Sequence, residues 1–284
     1  MTIAFQGEVG AFSEEAAGHL YFGSTAFGVP TMEDVFLAVE TGKAARGIIP
    51  IENSLFGSVH INYDLLRTHK VKIAGEVILR IRHYLVANAG AHLEDIQRVL
   101  SHPQALGQCQ TFLKEKLSQS EVIPTYDTAG AAKLIASEGT LTSAAIAPIR
   151  AAQEYGLEIL AKDLQSHAKN YTRFLALAPQ DAPRLTSSKT TVKTSIMFAP
   201  RRNIPGALFK SLAVFFLREL DLYKVESRPL IGRPGYYLFY LDVEGDVEDL
   251  RLQRALENLN EISTDLKILG SYPRGDTWDG DQKK

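Results

Sequence analysis

The feature that most constrains the fold is a regular alternation of short apolar segments and helical segments over residues 1–178. Residues 46–51 are apolar almost throughout, which is typical of a strand buried on both faces of a parallel sheet. Such segments are followed by turns and then by amphipathic helical patterns. We therefore expect an α/β region, and because it exceeds one typical core, we expect two α/β lobes with a ligand cleft between them.

The composition changes at residues 181–191, where Pro, Ser, Thr and Lys dominate as they do in linkers. Beyond this linker, residues 192–272 show strand and helix patterns in the order β-α-β-β-α-β, which predicts a ferredoxin-like domain. The last segment, 273–284, is polar and contains glycine, and we expect it to be a flexible tail. The α/β region is then 1–180, with one lobe formed by about 1–77 and 160–180 and the other by about 78–159.

Charge and cysteine content exclude several classes of protein. The net charge is -2 and the pI is about 6.4, which gives no electrostatic basis for binding nucleic acid or an anionic membrane. A single cysteine excludes an internal disulfide and a cysteine-rich metal site, and we expect Cys109 to be a small buried apolar side chain. The N-terminus does not resemble a signal peptide and no apolar run approaches about 18 residues, so we predict a soluble, cytoplasmic protein.

Polar side chains follow several predicted strands, where ligands gather in open α/β sheets. Ser13 lies at a glycine turn that opens a helix, a place that favours an anion. Glu52, Asn53 and Ser54 follow the strand at 46–51. The alternative is that Asn53 and Ser54 only cap the next helix.

Two more helix starts carry polar groups. Ser101 ends a strand, and Gln108 lies about two helical turns further on, so both side chains could face one side. His102 is a candidate general base, but a histidine before a helix-starting proline is as often a structural hydrogen bonder. Asp127 and Thr128 are candidate caps of another helix.

The segment Asn170-Tyr171-Thr172-Arg173-Phe174 opens a buried strand with a hydroxyl and a guanidinium, and the guanidinium matches a carboxylate. Side chains alternate along a strand, so Thr172 and Arg173 can reach one ligand only if the strand ends or bends there. The segment is also a glycosylation sequon, which would require a secretory route.

Taken in order, these motifs resemble the motifs of prephenate dehydratase. The segments that carry the resemblance are Ile51-Glu52-Asn53-Ser54, Ser101-His102-Pro103-Gln104, Asp127-Thr128-Ala129-Gly130 and Asn170-Tyr171-Thr172-Arg173-Phe174. In the C-terminal part, Gly206-Ala207-Leu208 and Glu226-Ser227-Arg228-Pro229 resemble the ACT regulatory domain of that family. The resemblance covers about residues 1–272 and implies a catalytic region built like a type II periplasmic binding protein. It also implies a homodimer or homotetramer formed through ACT domains.

The implied reaction is the loss of carbon dioxide and hydroxide from prephenate, giving phenylpyruvate without a metal or organic cofactor. The resemblance implies that Thr172 hydrogen-bonds or protonates the leaving hydroxyl. The catalytic set it implies is Thr172, Glu52, Asn53 and Gln108, and the substrate-binding set is Ser13, Ser54, Ser101, Thr128, Arg173 and Phe174. The resemblance also implies feedback inhibition by L-phenylalanine, which would be bound at the ACT domain by Asn203, Gly206, Ala207, Leu208, Glu226, Ser227 and Arg228.

Three alternatives stay open at this point. Arogenate dehydratase performs the same chemistry on a substrate with an amino group in place of the keto group. A non-catalytic amino-acid or solute-binding protein would use the same two-lobed cleft. The ferredoxin-like domain could serve only to dimerise the chain. We expect no chorismate mutase domain before Met1.

Overall fold

Three β-sheets organise the part of the chain that the computed structural model describes, which is residues 1–183 and 191–279. Two of the sheets belong to two α/β lobes, and the third belongs to a separate C-terminal domain. The predicted linker is described only at its two ends, because residues 184–190 lie outside the described ranges. The predicted fold class, two α/β lobes plus a ferredoxin-like domain, is confirmed.

Lobe 1 is built on a seven-stranded mixed sheet. Its elements are β1 (Thr2–Gln6), α1 (Phe12–Leu20), β2 (Thr25–Val29), α2 (Met32–Glu40), β3 (Arg46–Asn53), β4 (Gly57–Ser58), α3 (His60–Thr68), β5 (Val71–Arg80), β11 (Tyr171–Pro179) and β16 (Thr277–Trp278). Strand β1 pairs in parallel with β2 and β3, whereas β11 lies antiparallel between β3 and β5. The chain therefore leaves lobe 1 after β5 and returns to it at β11.

Lobe 2 is built on a five-stranded sheet with the order β10-β6-β9-β7-β8. Its elements are β6 (Tyr84–Ala87), a 3₁₀ turn (Leu93–Asp95), β7 (Arg98–Ser101), α4 (Pro103–Gln108), α5 (Gln110–Lys116), β8 (Glu121–Pro124), α6 (Thr128–Glu138), β9 (Ser143–Ala147), α7 (Ile149–Tyr155) and β10 (Glu158–Ala161). Because β10 pairs with β6, lobe 2 extends a few residues beyond the predicted boundary at 159.

The sequence predicts one helix over 103–117, but the structure divides it into α4 and α5 at Cys109. Cys109 itself is fully buried in an apolar cluster of lobe 2, as predicted, and burial raises the pKa of its thiol to about 12. The thiol is therefore protonated at neutral pH and serves as a small apolar side chain.

The C-terminal domain, residues 192–273, has the predicted order β-α-β-β-α-β, and its four strands form the antiparallel sheet β13-β14-β12-β15. Its elements are β12 (Val192–Pro200), α8 (Ala207–Phe216), β13 (Leu222–Pro229), β14 (Tyr237–Glu244), α9 (Leu250–Ile262) and β15 (Ser263–Pro273). One face of the sheet packs on α8 and α9 through Phe198, Phe215 and Leu252. The other face packs on lobe 1, where a single apolar cluster includes Tyr240 and Leu175.

The predicted flexible tail is ordered over residues 273–279, so this prediction is wrong there. Strand β15 continues to Pro273, and β16 then pairs in parallel with β5 at the edge of the lobe 1 sheet. The N–H of Ile78 donates to the carbonyl of Asp276 at 3.1 Å, and the ring of Trp278 lies 4.2 Å from the ring of His19, centroid to centroid. Residues 280–284 lie outside the described part of the chain.

No helix in residues 1–183 and 191–279 is both long and apolar enough to cross a membrane.

Candidate active site

A cavity of about 390 Å³ lies between the two lobes. From lobe 1 it is lined by Ser13 near the start of α1, by Asn53 at the end of β3 and by Thr172 near the start of β11. From lobe 2 it is lined by Gln108 at the end of α4 and by Thr128 at the start of α6. The volume is in the range of cavities that hold a small molecule. The predicted residue Phe174 also contributes to the wall.

Thr172 and Asn53 form a cross-strand pair between β11 and β3. The Asn53 Oδ1 accepts hydrogen bonds from the N–H groups of Leu55 and Phe56 at 2.9 and 3.1 Å, which fixes the orientation of the amide. Its Nδ2 therefore donates, at 2.9 Å to Oγ1 of Thr172 and at 2.8 Å to Oδ1 of Asn170. Because the Thr172 oxygen accepts this bond, its own hydroxyl proton is left to be donated elsewhere.

The hydrogen bonds continue from Asn170 into lobe 2. The Nδ2 of Asn170 donates to Oε1 of Gln108 at 3.0 Å, and Nε2 of His83 lies 2.5 Å from the same oxygen. An amide oxygen only accepts, so Nε2 of His83 carries the proton. Burial lowers the pKa of His83 to about 4, which makes this histidine neutral at pH 7. A continuous polar chain thus connects Thr172 of one lobe to Gln108 of the other.

Sequence reasoning missed two members of this chain. Asn170 lies within a motif that was recognised, but only its neighbours were assigned to the site. His83 lies at the crossing from lobe 1 to lobe 2, and no turn or cap pattern singled it out. Its proximity to Gln108 is a tertiary contact between residues 25 positions apart, which a single sequence does not show.

Three helices begin at the cavity wall. The first turn of α1 contributes Phe12 and Ser13 to the wall. The first turn of α4 contributes Gln104 and Ala105, and α6 contributes its first residue, Thr128. Helix starts expose N–H groups and a partial positive charge, so they bind anions. Among the described residues that line the cavity there is no Lys or Arg. A negatively charged ligand in this cavity would therefore be held by N–H groups and hydroxyls.

The helix caps around the cavity use the polar side chains that sequence analysis left open. His102 accepts a hydrogen bond at Nδ1 from the N–H of Gln104 at 3.2 Å, so it caps α4. Asp127 caps α6 through the N–H of Gly130 and also accepts from the N–H of Glu8 in lobe 1 at 3.1 Å. Both side chains line the cavity, and burial raises the pKa of Asp127. The contact with Glu8 joins the two lobes.

The structure corrects the assignments of Arg173 and Glu52. These two residues face each other in the β11–β3 register and lie on the sheet face opposite to Thr172 and Asn53. The Arg173 side chain is buried against the C-terminal domain, and Glu52 forms an ion pair with Lys224 of that domain. Neither lines the cavity. The β11–β3 register is unbroken between Thr172 and Arg173 and shifts only between Arg173 and Phe174, so side-chain alternation separates the hydroxyl from the guanidinium.

Two serines also differ from expectation. The Ser101 hydroxyl is fully buried and donates to the carbonyl of Ile146 at 2.5 Å, which ties β7 to the neighbouring strand β9. The Ser54 hydroxyl accepts from the N–H of Tyr171 at 2.9 Å and holds the start of β11. Both hydroxyls satisfy backbone groups, and neither residue lines the cavity.

A second cavity, of about 220 Å³, lies on the C-terminal domain. Four predicted effector residues line it, namely Asn203, Gly206, Ala207 and Leu208. The other three do not. Glu226 and Arg228 face lobe 1, where Glu226 accepts from the hydroxyl of Ser58 and Arg228 pairs with Asp64 at 2.7 Å, whereas Ser227 is exposed.

A comparison with known protein families decides the family. The model of the prephenate dehydratase family matches residues 3–182. The chain belongs to the prephenate dehydratase family. The matched region contains both lobes and the cavity between them. Members of this family are lyases, which agrees with the loss of carbon dioxide and hydroxide that the sequence resemblance implies.

Individual relatives agree with the family. The chain is 47% identical to arogenate dehydratase/prephenate dehydratase 2, chloroplastic, of Arabidopsis thaliana over 280 residues, which are 95% of this chain and 72% of the plant protein. It is 45% identical to arogenate dehydratase 2 of Petunia hybrida over 287 residues, with 96% of this chain and 72% of that protein covered.

Two solved structures are similar over almost the whole chain. Prephenate dehydratase from Arthrobacter aurescens, in complex with L-Phe, is 31% identical with a TM-score of 0.88, and the match covers 96% of this chain and 90% of that one. GqqA, described as a novel type of quorum quenching acylase, is 32% identical with a TM-score of 0.87, and the match covers 96% and 98%. Both matches include the C-terminal domain.

Proposed function

We propose that the chain converts prephenate to phenylpyruvate by combined dehydration and decarboxylation. The observation that carries this proposal is the Thr172 hydroxyl, which lines the cleft and accepts a hydrogen bond from Asn53. Its proton is then available to a leaving oxygen. The family match over residues 3–182 supplies the reaction class.

The reaction places modest demands on the protein. The bond between the ring and its carboxylate breaks, and the electron pair enters the ring as the carbon–oxygen bond to the ring hydroxyl breaks. One proton converts the departing hydroxide to water, and formation of the aromatic ring supplies much of the driving force. The site must therefore hold a dianion and stabilise negative charge on the leaving oxygen.

The residues of the cleft fit these two tasks. Thr172 donates to the leaving oxygen, and because a neutral threonine is a weak acid, its main contribution is electrostatic stabilisation. The starts of α1 and α6, with Ser13 and Thr128, hold the two carboxylates. Gln108 and Phe174 orient the ring between the lobes.

Arogenate is the second candidate substrate. The 45% identity to a Petunia hybrida protein named arogenate dehydratase 2 supports it, whereas the 47% identical Arabidopsis thaliana protein is named for both activities. The two substrates differ only in a keto or an ammonium group on the side chain, so the proposed roles of Thr172 and of the helix starts are the same for both.

The C-terminal domain is proposed to act as an ACT regulatory domain that binds L-phenylalanine. The second cavity, at Asn203, Gly206, Ala207 and Leu208, supports this role, and so does the similarity to a structure solved with L-Phe. We also propose that the chain forms a dimer or tetramer through these domains, because Phe209, Phe216 and Leu217 are each at least 75% exposed on α8 or directly after it. A cytoplasmic location remains part of the proposal, and several plant relatives are named as chloroplastic proteins.

The deciding experiment supplies purified protein with prephenate or arogenate and follows phenylpyruvate or phenylalanine as the product. Thr172→Val is the test variant, since it keeps the shape of the side chain and removes the hydroxyl. Turnover of prephenate that falls in this variant supports the proposal, and preference for arogenate changes only the substrate. Binding of both compounds without turnover would make the chain a binding protein. Acylase activity is assayed in parallel because GqqA is described as an acylase.

Regulation is tested separately by adding L-phenylalanine to the wild-type enzyme and by isothermal titration. Inhibition accompanied by binding heat supports the ACT assignment. Absence of both leaves the C-terminal domain with only an assembly role.

A further inference from the structure

Four charged side chains are buried together behind the strands that carry Thr172 and Asn53. Arg173 and Glu76 come from β11 and β5 of lobe 1, and Lys193 and Asp242 come from β12 and β14 of the C-terminal domain. Their exposed fractions are between 3% and 7%. The cluster is therefore part of the interface between the catalytic region and the C-terminal domain, and it is not a solvated surface network.

The Arg173 guanidinium is the centre of this cluster. Its Nε lies 2.6 Å from Oε2 of Glu76, and its Nη1 lies 2.6 Å from Oδ2 of Asp242. Its Nη2 donates to the hydroxyl of Tyr272 at 3.1 Å. The C-terminal domain thus supplies two of the three partners of this guanidinium. A buried charge that loses one of its partners is strongly unfavourable, so Arg173 requires the C-terminal domain to stay docked.

The C-terminal domain also contacts β3, the strand that pairs with β11. Glu52 lies opposite Arg173 in the β11–β3 register, and Lys224 of β13 forms an ion pair with it. Thr172 and Asn53, the next cross-strand pair, point into the cleft from the other face. The C-terminal domain therefore contacts β3 and β11 on the sheet face opposite to the cleft. It does so at Glu52 and Arg173, one residue away from the pair Asn53 and Thr172 that faces the cleft.

We infer that Arg173 and Glu52 are positioning residues through which Asp242 and Lys224 of the C-terminal domain hold Thr172 and Asn53 in their reactive arrangement. The inference rests on the proposed function. A strand segment has little freedom to rotate when the side chains of one face are fixed, so holding the rear face fixes the front face. A small displacement of a catalytic group lowers turnover more than it lowers substrate binding.

The test uses Lys224→Met and Asp242→Asn, each of which removes one charge on the C-terminal side. We expect each to lower kcat by about 10- to 100-fold while KM changes less than about 3-fold, because the transition state depends on geometry more than the ground state does. Lys224→Arg keeps the charge opposite Glu52 and should restore most of the lost kcat. The matched control is Asp64→Asn, which removes the interdomain ion pair between Asp64 of α3 and Arg228 of β13 and leaves the partners of Arg173 and Glu52 in place.

Hydrogen–deuterium exchange provides a readout that is independent of turnover. In Lys224→Met and Asp242→Asn, amides of residues 51–54 and 171–174 should exchange faster than in the wild type and in Asp64→Asn. If Asp242→Asn does not fold, Lys224→Met carries the test, because its charge is at the edge of the interface.

The outcomes separate the two proposals. Wild-type turnover with unchanged kcat and unchanged exchange in the folded variants would overturn this inference and leave the proposed function standing. A wild-type protein that turns over neither substrate would refute the proposed function, and the exchange measurement would still decide the role of the interface. A lower melting temperature without a change in kcat or in exchange at the two segments would show a merely structural interface.

Discussion

The Nδ2 of Asn53 donates a hydrogen bond of 2.9 Å to Oγ1 of Thr172, across the ladder between β3 and β11. The direction of this bond decides what the threonine can do. A hydroxyl whose oxygen accepts from an amide keeps its proton for a different acceptor, and the cleft is where an acceptor would be bound.

Removing this hydroxyl should affect turnover strongly. We expect Thr172→Val to lower kcat by about 10²-fold or more, which is the scale of one catalytic hydrogen-bonding group. Thr172→Ser keeps the hydroxyl and should retain most of the activity. Steady-state kinetics with the preferred substrate measure both, and near-normal kcat in the valine variant would remove Thr172 from the mechanism.

Asn170 connects the two lobes through its amide, and we expect Asn170→Ala to lower both stability and turnover. The residue is fully buried and links Asn53 to Gln108, so its loss removes two buried hydrogen bonds, each worth about 0.5–1.5 kcal/mol. A double-mutant cycle with Gln108→Ala should give a coupling energy above about 0.5 kcal/mol in urea unfolding. Thr111→Val, which affects an exposed hydrogen bond with Ser166, is the control and should change stability by less than about 0.5 kcal/mol. Strict additivity of the two substitutions would show that the amide chain is not a unit.

The buried His83 should make the fold sensitive to mild acid. Burial lowers its pKa to about 4, whereas an unfolded histidine titrates near about 6.5. Between these values the unfolded chain binds a proton that the folded chain does not. Stability therefore falls as the pH falls from about 6.5 to about 4, by up to about 3 kcal/mol from this residue.

The comparison of wild type with His83→Gln checks this pH dependence. Urea unfolding across that pH range should show a smaller loss of stability in the variant, because glutamine does not titrate. Equal slopes in the two proteins would mean that the imidazole is not buried and neutral in the folded state.

Trp278 is the single tryptophan of the chain, and it lies on strand β16, where it packs against the main core of the two lobes. Its ring contacts His19 of α1. We expect Trp278→Ala to lower the free energy of unfolding by about 1–3 kcal/mol, as for a partly buried aromatic side chain. Phe22→Ala is the control, because Phe22 is 100% exposed and should be nearly neutral. Tryptophan fluorescence of the wild type reports the same docking directly, and emission typical of a fully solvated indole in the native protein would contradict it.

Local patterns were sufficient to predict much of the cleft. Asn53, Gln108 and Thr172 stand at the ends of elements that strand and helix patterns mark, and ligand groups gather at such ends in α/β sheets. Ser13 and Thr128 were found because helix starts have a recognisable sequence pattern.

The failures involve partners that are distant along the chain. The fate of Ser101 depends on the carbonyl of Ile146 on a neighbouring strand, 45 residues away. The burial of Arg173 depends on Asp242 of another domain, and a guanidinium at a strand end matches a substrate carboxylate as well as it matches an aspartate. In each case the residue type was informative about chemistry, but the partner was set by tertiary packing.

The prediction of a flexible tail at residues 273–279 was wrong for a different reason. Its polar, glycine-bearing composition is that of disordered segments, yet β16 needs only two residues to pair with the edge of β5. The edge of β5 is what orders the segment, and the edge becomes visible only when the sheet order is known.

The return of the chain to β5 makes the C-terminal domain a poor unit for exchange between relatives. A chimera that replaces residues 192–273 must still carry a segment able to reach β5, and it must present an acidic group to Arg173 where Asp242 now stands. A shortened protein that ends at residue 183 would keep every residue of the cleft, but it would expose a strand edge and leave Arg173 with Glu76 alone of its three described partners. The edge of β5 and the ion pair between Arg173 and Asp242 each need residues from both the catalytic region and the C-terminal part of the chain. Engineering of this family member therefore has to change the two parts together.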